Sequence, residues 1–133
     1  MARRVLLVMS RKILSDALIA QTSYDTRFNF LAEQNYASAA LTAEACSPEI
    51  TVVEIPESGP WKSADKCLAI CSVIRKQLPD CKQVILCSEN DKESYHAAIN
   101  AKQENKIDDF LFYDNSIHYL FSKLEALTEK KEA

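Results

Sequence analysis

The clearest indication of the fold lies in residues 36–59, YASAALTAEACSPEITVVEIPESG. The alanine-rich segment predicts a helix over 37–46, which ends at Ser47-Pro48 because proline disfavours helical geometry in the residue before it. The β-branched run over 50–55 predicts a buried strand. A helix followed so closely by a buried strand is typical of an α/β protein.

The same alternation of helix and strand extends over the whole chain. Apolar runs predict strands at 4–9, 28–32, 50–55, 83–87 and 109–113. Helical spacing predicts helices at 13–21, 37–46, 63–78, 92–103 and 117–127. We therefore expect one α/β domain over 1–127, a doubly wound three-layer sandwich with a five-stranded parallel sheet of order 2-1-3-4-5. A solvated tail over 128–133 follows, and the sequence leaves open whether it is a terminus or the start of a linker.

Composition excludes several classes of function. The chain has 133 residues, a net charge of -3 and a single glycine, Gly59. Nucleotide and flavin phosphate loops need two or more glycines, so we expect no cofactor bound at such a loop. The charge balance provides no concentrated basic face for nucleic acid, and no apolar stretch has the length of a membrane span.

The five cysteines predict a reducing compartment. Their number is odd, and none forms a C-x-x-C pair. Cys67 and Cys71 lie one helical turn apart on an apolar stripe, which favours buried thiols over metal ligands. Because the N-terminus also lacks a signal-peptide pattern, we expect a cytoplasmic protein without a bound metal.

The segments around the predicted strand ends resemble the receiver domains of two-component response regulators. The likeness spans nearly the whole chain and depends on residues 36–59, on QVILCSEND at 83–91 and on DDFLFYDNS at 108–116. The resemblance implies a flavodoxin-like (CheY-like) fold and a role in signal transduction.

The same resemblance implies a phosphorylation site that has lost its chemistry. Glu54 falls on the phospho-acceptor aspartate, while Tyr113 replaces the lysine. Met9 and Ser10 replace the pair of metal-binding acids. A thioether and a hydroxyl lack the charge that holds Mg²⁺, and phosphoryl transfer to a carboxylate depends on that ion. We therefore expect no catalytic residue and no phosphorylation at Glu54.

Ser88 and Phe110 fall on the hydroxyl and the aromatic residue of the family's switch. Two interpretations of this match stay open. In one, Glu54 mimics a phosphorylated aspartate and directs its charge towards Ser88. In the other, which we favour, Glu54 is a solvated acid at a strand end and Phe110 is a core residue. Trp61, two residues after Gly59, is expected to lie partly exposed near the loop that follows Glu54.

The resemblance also implies a partner surface, formed by the helix at 92–103, the strand at 109–113 and the helix at 117–127. Its candidate interface residues are Tyr95, Lys102, Tyr113, His118, Tyr119 and Lys123. We expect a response-regulator-like protein that acts by phosphorylation-independent contact with a protein partner of a signalling pathway, or with a second copy of itself. The alternative is an atypical receiver that is still switched by a phosphoryl group or ligand at Glu54 and Ser88.

Overall fold

The computed structural model describes residues 3–21, 27–113 and 117–129, apart from the side chains of residues 117, 118 and 129. Within these ranges five strands form: β1 (Arg3–Val8), β2 (Phe28–Glu33), β3 (Ile50–Glu54), β4 (Lys82–Cys87) and β5 (Asp109–Phe112). Five helices alternate with them: α1 (Lys12–Ala20), α2 (Ala39–Cys46), α3 (Ala64–Gln77), α4 (Lys92–Gln103) and α5 (Ile117–Glu129). A 3-10 turn, Tyr36–Ser38, leads into α2.

The five strands form one parallel sheet of order β2-β1-β3-β4-β5, which confirms the predicted fold class and strand order. β3 lies at the centre, with Val52 beside Leu7 of β1 and beside Val84 of β4. It is buried along its whole length, as expected for a strand that is covered on both faces. β2, by contrast, buries Phe28 and Phe30 alternately with exposed neighbours, as an edge strand does.

Two apolar clusters fill the space on the two faces of the sheet. On one face, Val53 packs with Ile74 of α3 and Ala98 of α4, in a cluster that includes the buried Cys67 and Cys71. The prediction of buried thiols is therefore confirmed for these two residues. The cluster on the other face joins the sheet to α1 and α5. No described helix has the length and apolar character needed to cross a membrane.

The last helix is longer than predicted. α5 runs to Glu129, and Thr128, which the sequence prediction places in the solvated tail, is buried. Leu124 and Leu127 pack in the apolar cluster on this face of the sheet, and the burial continues past the predicted boundary to Thr128. The Thr128 hydroxyl donates a hydrogen bond to the main-chain oxygen of Glu125, which satisfies it inside the helix. Residues 130–133 lie outside the described ranges.

Candidate functional site

The parallel sheet brings most of the sequence-predicted site residues to one edge. Glu54 is the last residue of β3, Ser10 and Ser88 follow β1 and β4, and Tyr113 follows β5. Because all five strands run in the same direction, these ends lie side by side. The resulting cluster has Glu54 at its centre.

The Glu54 side chain is fully buried, with 0% of its surface exposed. Its Oε1 atom accepts hydrogen bonds from the main-chain N–H of Ser10 at 2.7 Å and from the Ser10 hydroxyl at 3.2 Å, with the main-chain N–H of Arg11 at 3.4 Å. Its Oε2 atom accepts a hydrogen bond from the Tyr113 hydroxyl at 2.6 Å. The favoured interpretation of Glu54 as a solvated acid is therefore wrong, because donors from distant segments enclose it.

Arg11 supplies the positive charge that a buried carboxylate needs. Its Nε atom lies 3.5 Å from Glu54 Oε2, and its guanidinium also pairs with Glu57. The guanidinium carbon stands 4.4 Å from the centre of the Tyr113 ring, a cation–π distance. Arg11 is not among the predicted site residues. The available signal was a basic residue two positions after the predicted strand 4–9, at the edge where Glu54 is expected.

Tyr113 is directed into the site and not out to the surface. Its hydroxyl also lies 3.0 Å from the main-chain oxygen of Ile55. Burial raises the pKa of Tyr113 above its ordinary value, and the neighbouring Glu54 carboxylate raises that pKa further. Tyr113 therefore stays a neutral donor, and its predicted place on the partner surface is wrong for the hydroxyl end of the side chain.

Tyr36 joins Trp61 to the same site. Its hydroxyl donates a hydrogen bond of 2.6 Å to the main-chain oxygen of Glu54, and burial, followed by the Glu54 charge, raises its pKa. Its ring stacks on Trp61, with the centroids 5.4 Å apart. Trp61 is half-buried, as expected. Tyr36 connects it to Glu54, since Tyr36 stacks on Trp61 and bonds to the Glu54 main chain. Tyr36 carries no sequence signal of this role, since its position depends on the packing of α2 against α3.

Met9 and Ser88 form no hydrogen bond with Glu54. Met9 is fully buried in the apolar cluster under α1 and α5. The hydroxyl of Ser88 accepts a hydrogen bond from the main-chain N–H of Asn90 at 3.2 Å. The Glu54 carboxylate bonds to Ser10 and Tyr113, so the alternative interpretation, in which its charge is directed towards Ser88, has no contact behind it.

The donor set around Glu54 does not fit a divalent cation. Both carboxylate oxygens already accept hydrogen bonds, and Arg11 places a positive charge next to one of them. Met9 offers a thioether that is buried elsewhere. Among the described residues, no three His, Cys, Asp or Glu side chains are arranged to hold a metal ion.

Asp109 joins the helices and the strand of the predicted partner surface. Its carboxylate pairs with Lys102 Nζ of α4 at 3.1 Å and with Lys123 Nζ of α5 at 2.9 Å. Burial alone would raise the pKa of Asp109, but the hydrogen bonds from Lys123, the Phe110 N–H and Lys102 outweigh it and lower the pKa. The hydrogen bond and ion pair between Lys123 and Asp109 raise the pKa of Lys123.

An aromatic cluster lies beside this ion pair. The ring of Tyr95 contacts Phe112 at 5.3 Å and Phe110 at 6.4 Å between centroids, and all three side chains are half-buried. Phe110 therefore packs as a core-edge residue. Tyr119 is 45% exposed, in line with its predicted place on the surface. The side chain of His118 lies outside the described residues.

Comparisons with known proteins agree with this architecture. No protein-family model and no curated protein sequence matches the chain. Among solved structures, a response regulator from Thermotoga maritima matches with 19% identity and a TM-score of 0.74, over 96% of this chain and 98% of that one. A CheY-like receiver domain protein from Methanospirillum hungatei JF-1 matches with 15% identity and a TM-score of 0.75, over 100% of both chains. An orphan response regulator of H. pylori matches with 16% identity and a TM-score of 0.71, over 94% of this chain and 95% of that one. At these identities the likeness is one of architecture, and the chain has the fold of response regulator receiver domains.

Proposed function

We propose that the protein is a response-regulator-like signalling module with a degenerate phosphorylation site, which acts by protein contact and is not phosphorylated. The observation that carries this proposal is the state of the Glu54 carboxylate. It is fully buried, its Oε1 atom accepts hydrogen bonds from Ser10, and its Oε2 atom accepts one from Tyr113. A phospho-acceptor needs a free carboxylate oxygen in line with the donor, together with a metal ion that neutralises the developing charge.

The kind of groups that surround Glu54 supports a non-enzymatic function. Where a phosphoryl-accepting site gathers acids around a cation, this one gathers N–H and O–H donors and the Arg11 guanidinium around a single acid. An incoming phosphoryl group would have to displace the hydrogen bonds that Glu54 accepts from Ser10 and Tyr113. We therefore propose no catalytic role for Glu54 and no resident metal or cofactor.

The partner surface that we propose comprises α4, β5 and α5, with a protein of a signalling pathway or a second copy of this chain as its occupant. Tyr119 is exposed on α5, and the half-buried ring of Tyr95 on α4 contacts the half-buried ring of Phe112 on β5. Exposed or half-exposed aromatic side chains are enriched in protein interfaces. The net charge of -3 favours a protein over nucleic acid as partner. All five cysteines are free thiols, which fits a cytoplasmic location.

Trp61 fluorescence tests whether the site responds to phosphoryl chemistry. Trp61 stacks on Tyr36, whose hydroxyl is bonded to Glu54, so a change at the site reaches the indole through two contacts. We expect no change on titration with Mg²⁺ followed by beryllofluoride. A Tyr36→Phe variant, which breaks the connection to Glu54 and is expected to alter the Trp61 spectrum, shows that the probe is sensitive. A saturable response that Glu54→Ala abolishes would contradict the proposal and favour a receiver still switched at Glu54 and Ser88.

Sedimentation equilibrium tests whether a second copy is the partner. If copies associate through α4, β5 and α5, Lys123→Glu should weaken association. The new carboxylate would replace the positive partner of Asp109 by a second negative charge on this surface. Leu41→Ala is the matched control, since Leu41 is 70% exposed on α2, away from this surface. Equal loss of association in both variants would count against this surface as the dimer contact.

A further inference from the structure

We propose that Glu54, Tyr113 and Arg11 form a built-in latch. By this we mean a set of contacts that holds Tyr113, the residue after β5, against Glu54 at the end of β3, without a phosphoryl group or a metal ion. The inference deepens the proposed function, because it states how the α4, β5 and α5 surface is kept in one arrangement. It depends on the proposed function only for that consequence. The latch itself is a property of the three side chains.

The first contact of the latch is the hydrogen bond between the Tyr113 hydroxyl and the Glu54 carboxylate. The Tyr113 hydroxyl can donate a single proton, and it has two acceptors within reach, Glu54 Oε2 at 2.6 Å and the Ile55 main-chain oxygen at 3.0 Å. The shorter contact is to a charged acceptor, where a hydrogen bond is about twice as strong as between neutral groups. Because burial and the Glu54 charge both raise the pKa of Tyr113, the proton stays on the phenol over the physiological range.

Arg11 closes the latch from the solvent side. Its guanidinium lies on the ring of Tyr113 and within ion-pair distance of Glu54, and its outer end pairs with the exposed Glu57. A planar, delocalised cation is suited to stacking on a ring and pairing with a carboxylate at the same time. Arg11 thus lies on the face of the Tyr113 ring and pairs with the same carboxylate that the Tyr113 hydroxyl contacts.

The latch is joined to the partner surface through the main chain. The N–H of Tyr113 donates to the main-chain oxygen of Cys87 at 3.2 Å, which continues the pairing of β4 with β5 one residue beyond Phe112. Phe112 contacts Tyr95 of α4, and Asp109, at the start of the same strand, is bound to both flanking helices. Fixing Tyr113 therefore fixes the end of a strand whose other residues contact α4 and α5.

Amide hydrogen exchange of the Tyr113→Phe variant, without any partner or metal, tests the latch. Phenylalanine keeps the ring under Arg11 and removes only the hydroxyl that reaches Glu54. We expect exchange at the Ser10 and Tyr113 amides to become about tenfold faster, since local opening no longer breaks that charged hydrogen bond. The amides of Glu49, Lys82 and Asp108, which form hydrogen bonds at the opposite end of the sheet, should keep their rates.

Tyr95→Phe is the matched control, because it removes a hydroxyl from a half-buried ring that forms only ring contacts with the described residues. It should leave exchange at Ser10 and Tyr113 unchanged. An Arg11→Gln variant, which removes the charge from the outer side of the latch, should reproduce the local pattern of Tyr113→Phe. Unchanged exchange at both amides in Tyr113→Phe would overturn the latch, as would equal acceleration at both ends of the sheet, which indicates a general loss of stability. Neither result bears on the response of Trp61 to beryllofluoride, so failure of the latch and failure of the proposed function are distinguishable.

Discussion

The hydroxyl of Tyr113 donates a 2.6 Å hydrogen bond to the carboxylate of Glu54, a residue 59 positions earlier in the sequence. The contact joins the end of the central strand to the exit of an edge strand. Burying a carboxylate without partners is strongly unfavourable, and a buried charge persists in a fold only when charges and hydrogen bonds compensate it. Here Tyr113, Ser10 and Arg11 supply that compensation from the chain itself.

A Glu54→Ala variant should be destabilised and should be rescued by acetate. The substitution removes the carboxylate and leaves the donors of Ser10 and Tyr113 without their acceptor, at a cost of about 2 kcal/mol in the free energy of unfolding. Acetate has the same atoms as the deleted part of the side chain, so binding in the vacated space should raise the melting temperature as its concentration increases.

Glu57→Ala is the control for this rescue. Glu57 is exposed and lies on the other side of Arg11, so its removal creates no enclosed space. Acetate should therefore not stabilise this variant, when ionic strength is matched with sodium chloride. Equal stabilisation of both variants by acetate would mean that the donors around Glu54 do not form an anion pocket.

An Arg11→Lys variant should lose stability although the charge is kept. A lysine ammonium is a point charge and cannot stack on the Tyr113 ring while pairing with Glu54 and Glu57. We expect a loss of about 1 kcal/mol, measured by urea unfolding. Arg3→Lys is the control, because the ion-pair partner of Arg3 among the described residues is the exposed Glu49, at the longer distance of 3.7 Å. Equal, small losses in both variants would show that Arg11 contributes as a charge alone.

The fold could be predicted from the sequence because each layer leaves a periodic pattern. The central strands appear as unbroken apolar runs, and the alternation of Phe28 and Phe30 with polar neighbours marks an edge strand. Strand order then follows from short connections and right-handed crossovers. The gathering of Ser10, Glu54 and Tyr113 at one edge is a consequence of that order.

The orientation of the site side chains could not be predicted in the same way. Whether a strand-end acid such as Glu54 is solvated or buried depends on partners that reach it from other segments. Arg11 is 43 residues away from it in the sequence and Tyr113 is 59 residues away. No local period relates these positions, and each contact depends on one side-chain conformation. The sequence therefore predicts which residues meet at the edge, but not which of them bond to one another.

Acid should weaken the protein partly through Asp109. The lysine pairs hold the pKa of its folded state below the ordinary value of 3.8, so the native state favours the charged form. The resulting stability is present above the unfolded-state pKa and is lost as the pH falls through the lower, folded-state pKa. An Asp109→Asn variant should lose about 1 kcal/mol at neutral pH and should show a shallower loss of stability in acid. Asp80→Asn, at an exposed turn, is the control, and urea unfolding over a pH series is the measurement. Parallel pH profiles for wild type and Asp109→Asn would contradict the assignment.

Thiol reactivity should separate Cys46 from the other four cysteines. Burial raises the pKa of Cys67 and Cys71 to about 12 and that of Cys87 to about 11, and it also raises the pKa of Cys81. Since the thiolate is the reactive form, these buried thiols should react with an aromatic disulfide reagent only as fast as the protein unfolds.

Cys46 also has a raised pKa, but it is half-buried and so remains the thiol that the reagent can reach in the folded state. We expect one equivalent of thiol to react before the rest, and a Cys46→Ser variant to lose that first phase while keeping the slow one. Addition of denaturant should bring all the remaining thiols into a single fast phase. A fast phase that persists in Cys46→Ser would mean that one of the core thiols opens to solvent without unfolding, and that the apolar layer under α3 is locally mobile.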